Sequence, residues 1–161
     1  MDQELEQLSL KLGERLAAKG LVMVTAESCT GGWVAKALTD IAGSSGCFDR
    51  GFITYSNEAK QDMLGVACET LEHHGAVSEP TVREMVKGAL ANSRGDVAVA
   101  ISGIAGPGGG SDEKPVGTVC FAWGMGGEEP LAVTYLFEGD RDAVRRQAVI
   151  TAMKGVLEII G

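Results

Sequence analysis

The chain has 161 residues, 45% hydrophobic and 22% charged, which gives one globular domain a real core and excludes a disordered chain. A formal net charge of −8 argues against general nucleic-acid binding, where a basic footprint is expected. No uncharged apolar run reaches about 18 residues, so no membrane-spanning segment is expected. The acidic opening "MDQELEQLSLKLGERL" also lacks the basic and apolar regions of a signal peptide.

In chain order, Leu5, Leu8, Leu12 and Leu16 recur at helical spacing and predict an amphipathic helix that stops near Gly20. Residues 21–25, short and continuously apolar, predict a buried strand. From Cys29 onward, Trp33, Val34, Ala37, Leu38 and Ile41 mark one face of a second helix. "GFITY" reads as the next strand, with Ser56 capping a helix through "NEAKQDML". Ser78 opens another helix with Pro80 in its first turn, its apolar face carried by Val82, Met85, Val86, Ala89 and Leu90. "VAVAI" at 97–101 is a third strand, followed by the glycine-dense "SGIAGPGGGS". "VGTVCFAW" and "LAVTYLF" alternate as an antiparallel hairpin, and Asp140 caps a long final helix. This order predicts a single layered α/β domain over residues 1–161, with a mixed, largely parallel sheet flanked by helices.

Cys29, Cys47, Cys68 and Cys120 form no C-x-x-C pair, and the two histidines, His73 and His74, are adjacent. Neither a metal site nor a cofactor is expected from them, and reduced thiols fit a cytoplasmic protein.

In an open α/β sheet, ligands bind at the carboxyl ends of parallel strands. Three segments should converge there: "ESCTGG", "YSNEAK" and "SGIAGPGGGS". Ser28 at a strand-to-helix turn resembles a nucleophile elbow, although G-x-S-x-G is absent. The amides of Cys29, Thr30, Gly31 and Gly32 could hold a phosphate or a developing oxyanion; equally, Ser28 and Thr30 could simply cap a helix whose glycines allow close packing. Lys60, in the first turn of its helix, stands at the partly positive helix end, where its neutral form is easier to reach and can act as general base. Tyr55 lies near enough to relay a proton or donate a hydrogen bond. The loop residues Ser102, Gly103, Ile104, Ala105 and Gly106 can close backbone amides around an anion, but they make no nucleotide P-loop. Arg141, Arg145 and Arg146 oppose the dipole of the last helix, which is consistent with an anionic partner or with solvated charge.

"TAESCTGGWVAKALTDIAGSSGCF", "RGFITYSNEAKQDMLGV", "HGAVSEPTV", "ISGIAGPGGGSDEKPVGTV" and "GDRDAVRRQA" together resemble the C-terminal domain of the competence/damage-inducible CinA family, from about residue 5 to 155. The molybdopterin-binding-like N-terminal domain of two-domain members has no counterpart in these residues, so its activity is not carried over. The resemblance implies hydrolysis of the carboxamide of nicotinamide mononucleotide to nicotinic acid mononucleotide and ammonia, by a metal-independent Ser/Lys mechanism. A non-catalytic mononucleotide-binding module is the alternative. For the nucleophile, Ser28, Ser45 in "AGSSGCF" and Cys29 all remain open, with Glu27 orienting Lys60 or a backbone amide. A small-molecule substrate is the expected partner, without nucleic acid or membrane; a homodimer, with the first helix as a candidate patch, stays open.

Overall fold

The computed structural model describes residues 2–161. Leu5, Leu12 and Leu16 are buried along one side of α1 (Gln3–Lys19), which Asp2 caps by accepting the Leu5 N–H. The remaining elements are β1 (Met23–Glu27), α2 (Trp33–Thr39), β2 (Phe48–Ile53), α3 (Asn57–Leu64), α4 (Cys68–His74), α5 (Glu79–Ala91), β3 (Val97–Gly103), β4 (Thr118–Met125), β5 (Leu131–Leu136) and α6 (Arg141–Ile160). Ser56, Ser78 and Asp140 each cap the helix expected of them, accepting from the amides of Ala59, Thr81 and Ala143.

The sheet runs β2-β1-β3-β4-β5. β1 pairs in parallel with β2 and β3, whereas β3–β4 and β4–β5 are antiparallel, so β4 alone runs against the other four strands. This is the mixed, largely parallel sheet that the order of elements predicts. Because strand side chains alternate, each strand feeds two cores. Met23, Val97, Val99, Ile101, Val119 and Phe121 pack with α1, α2 and α6. On the opposite face Val24, Ala26, Ala98, Ala100 and Ala122 pack with residues of α3, α4 and α5. Alanines on that second face leave room for α5 to lie close to the sheet.

α5 also crosses close to the end of α3. A Cβ at Gly88 would stand 1.9 Å from the Leu64 carbonyl oxygen, so this crossing needs a residue without a side chain. Several boundaries differ from expectation, by two or more residues each. β1 continues to Glu27, β2 begins at Phe48 rather than near Gly51, and α2 begins at Trp33 rather than near Cys29. α4, which apolar spacing does not announce in "CETLEHH", buries only Leu71. Among the described residues, no helix is long and apolar enough to cross a membrane.

Candidate active site

Strand parity aims the residues beyond β1. Val24 and Ala26 face α3–α5, and Ser28 follows on the same parity; Glu27 and Cys29 fall to the α2/α6 side, where Cys29 joins the core. The Ser28 N–H donates to the Ile101 carbonyl, extending the β1–β3 register one residue past the strand. Lys60 approaches from α3 on the α3–α5 side. It is 1% exposed, and its Nζ lies 3.0 Å from Ser28 Oγ, 2.8 Å from the Thr54 carbonyl and 3.3 Å from the Tyr55 carbonyl.

Burial pushes the Lys60 ammonium below its ordinary pKa. A neutral amine has two N–H bonds and one lone pair. The two carbonyls take the N–H bonds, which leaves the lone pair facing Ser28 Oγ as acceptor for its proton. The arrangement therefore serves as a base as well as it serves a charged donor.

The loop after β1 is held from within. Glu27, 1% exposed, accepts from Thr30 Oγ1 (2.7 Å), the Val34 N–H (3.0 Å) and the Ala35 N–H (3.1 Å). The amides that open α2 are thus satisfied by the protein's own carboxylate, and Glu27 neither touches Lys60 nor borders the cavity. Gly31 and Gly32 have φ of 60° and 101°, a left-handed pair that turns the chain from β1 into α2. The Gly31 N–H donates to the Ser28 carbonyl in this turn. The Cys29 thiol is buried and pushed up to about 12 by that burial, so it holds its proton at neutral pH.

Next to the Ser28–Lys60 pair lies a cavity of about 240 Å³. The three loops expected to meet there do so: Ser28 and Cys29 from the first, Tyr55 and Lys60 from the second, and Ser102, Gly103 and Ala105 from the third. Three contributors escape the sequence patterns. Ala76 and Val77, between α4 and α5, complete the wall; their small apolar side chains carry no group that marks them as site residues. The Thr54 carbonyl, a main-chain atom that no residue type announces, anchors Lys60.

Arg141 stands at the rim, donating to the Gly106 carbonyl (2.7 Å) and to the Tyr55 hydroxyl (3.3 Å). Tyr55 is otherwise exposed, and its hydroxyl meets Arg141 rather than Lys60 or Ser28. Ile104 lies behind the third loop, where its N–H donates to Thr118 and its carbonyl accepts from Gly117. Arg145 and Arg146 turn elsewhere: Arg145 to the Cys29 and Thr30 carbonyls, Arg146 to Asp2 and Glu4. Ser45 is exposed in a 3-10 turn before β2, at the amino end of the parallel strands, where the following Cys47 carbonyl accepts from Met23. The fold therefore puts Ser28, not Ser45, beside Lys60.

Fold and site define an α/β protein with a buried serine–lysine pair at the carboxyl edge of its parallel strands, beside a small cavity rimmed by arginine. The sequence matches the CinA C-terminal domain family over residues 5–160, and the chain belongs to that family. It is 62% identical over 153 residues to the nicotinamide-nucleotide amidohydrolase PncC of Escherichia coli (strain K12), covering 95% of this chain and 93% of that one. The protein of the same name from Enterobacter agglomerans is 54% identical over 156 residues, covering 97% and 95%. Among solved structures, the competence/damage inducible protein CihA from Agrobacterium tumefaciens superposes with a TM-score of 0.96 at 46% identity, covering 100% of this chain and 98% of that one.

Proposed function

We propose that the protein is a nicotinamide-nucleotide amidohydrolase that converts nicotinamide mononucleotide and water to nicotinic acid mononucleotide and ammonia, with Ser28 as nucleophile and Lys60 as general base. The observation that carries this reading is the buried Lys60 amine, depressed in pKa and 3.0 Å from Ser28 Oγ. The relatives' name, nicotinamide-nucleotide amidohydrolase, supplies the substrate. The cavity suits an anionic ligand: although the chain holds 22 acidic residues, none borders it, and the Arg141 guanidinium does.

Neutral Lys60 takes the Ser28 proton as Oγ forms a bond to the carboxamide carbon. The amides of Cys29 and Thr30, which no backbone carbonyl engages among the described residues, are the candidate donors to the tetrahedral oxyanion. The C–N bond then breaks, and the nitrogen leaves as ammonia with the proton held by Lys60. Water repeats the sequence on the acyl-enzyme: it gives a proton to Lys60, its oxygen bonds to the acyl carbon, and Ser28 recovers its proton as the acid departs. Arg141 is the phosphate ligand in this scheme, and Tyr55 shapes the mouth. The reaction needs no metal, the 161 residues act as one catalytic domain, and the four unpaired thiols suit the cytoplasm.

Ammonia release from nicotinamide mononucleotide in the presence of chelator tests the scheme. Turnover that persists in chelator and in Ser45→Ala, yet falls to background in Ser28→Ala, is expected. Activity retained by folded Ser28→Ala, or lost to chelator and restored by metal, would refute it. No turnover by the folded wild type would favour a binding module.

A further inference from the structure

α6 sends two arginines, one turn apart, toward the same sheet edge, and they do different things. Arg141 borders the cavity; Arg145 does not. Arg145 is half-buried, and both its directed contacts are to the main chain of the Ser28 loop: Nε to the Cys29 carbonyl at 3.0 Å and Nη2 to the Thr30 carbonyl at 3.4 Å. Its guanidinium also lies over the Trp33 ring, 5.7 Å from the centroid, at the start of α2.

We infer that Arg145 is a positioning residue that fixes the orientation of the Cys29–Thr30 peptide next to the nucleophile, and is not a ligand of the substrate's anion. This rests on the amidohydrolase reading. In a trans peptide the C=O and the following N–H point in opposite directions. Drawing the Cys29 carbonyl toward α6 therefore turns the Thr30 N–H away from α6, toward the side of the loop on which Ser28 and Lys60 lie. Glu27 holds the other end of the same turn through Thr30 Oγ1 and the first amides of α2. An acid thus grips the donors while a base grips the acceptors, and the peptide between them cannot flip without losing the Arg145 bond. The planar fork matters here. A lysine would meet one carbonyl as a point charge and could not hold both carbonyls with a planar fork.

The test compares Arg145→Lys and Arg145→Gln with Arg141→Lys, using kcat and KM for ammonia release from nicotinamide mononucleotide. Amide hydrogen exchange of the peptide covering residues 25–33 is measured alongside in the ligand-free proteins. The Arg145 variants should lose about 10–100-fold in kcat with KM within about threefold of wild type, the size expected for misplaced catalytic groups. Their residue 25–33 amides should exchange faster while the pH of the acidic activity limb stays put. Arg141→Lys should act mainly on KM. A raised KM with intact kcat in the Arg145 variants would overturn the inference, as would no change in either constant. If the wild type releases no ammonia, the amidohydrolase reading fails separately, and unchanged exchange in the Arg145 variants would still refute the clamp.

Discussion

Replacing Lys60 by Met keeps most of the side chain's length in a fully buried site while removing the amine. For stability, two effects oppose each other. The Thr54 and Tyr55 carbonyls lose their donor, which costs about 1–3 kcal/mol for each one left unsatisfied. Against this, a desolvated amine is exchanged for an apolar thioether. The net change should stay within about 3 kcal/mol, small enough for the variant to remain folded. For chemistry nothing offsets the loss. A positioned general base contributes about 10²–10⁴-fold, so ammonia release should fall by at least about 100-fold with little change in KM.

The pH profile sharpens the test. At the ordinary lysine value, on the order of one molecule in 3,000 would carry a neutral amine at pH 7, and each unit of depression raises that fraction tenfold. The acidic limb of kcat/KM should therefore rise with unit slope and level off below the ordinary lysine pKa. The same shift acts on stability. A base with its folded pKa lowered binds fewer protons in the folded than in the unfolded state, so wild-type stability should rise as pH climbs through the folded value toward the unfolded one. Lys60→Met should lack that rise. Melting curves from pH 6 to 10 and steady-state ammonia assays measure both. Folded Lys60→Met with activity within tenfold of wild type would refute the assignment of Lys60 as base.

Cys29→Ala should keep activity within about tenfold and cost about 1–3 kcal/mol for the small cavity it opens, by kinetics and denaturant melting; the protonated thiol of the wild type should react slowly with iodoacetamide at pH 7. Glu27→Ala leaves the Thr30 hydroxyl and the Val34 and Ala35 amides without their acceptor, so a loss of at least about 2 kcal/mol in urea melts is expected, with greater proteolysis near residue 30. Gly88→Ala forces α5 away from Leu64 and should destabilise by about 1–3 kcal/mol, read as a lowered urea midpoint at unchanged slope.

Local rules made much of the fold legible. Leucine spacing announces α1, Ser56, Ser78 and Asp140 mark their helix starts, and the apolar run in β3 marks a strand covered on both sides. These signals are short-range, because they depend on backbone periodicity and on capping within about a turn. The convergence of three glycine-rich or polar loops follows from parallel strand order alone. Other features had no local signal. Pattern rules end β1 before its acid, yet Glu27 is buried in the strand because Val34 and Ala35, seven and eight residues away, supply its hydrogen bonds. Lys60 gives no sign in sequence that it is fully buried; its burial depends on Thr54, Tyr55 and Ser28, the last 32 positions earlier.

The choice between Ser28 and Ser45 is a matter of topology. Both lie in short polar turns among small residues, and only the parallel β1–β2 pairing sends them to opposite ends of the sheet. The two arginines of α6 divide on the same ground: Arg141 and Arg145 look alike in "RDAVRRQA", but one meets a cavity and the other a pair of carbonyls. The sequence by itself determined most of the elements, their order and the residue types available at the strand ends. Only the tertiary structure decided which of those residues meet, because the desolvation that lowers the Lys60 pKa and the contacts that hold its amine come from segments distant in the chain.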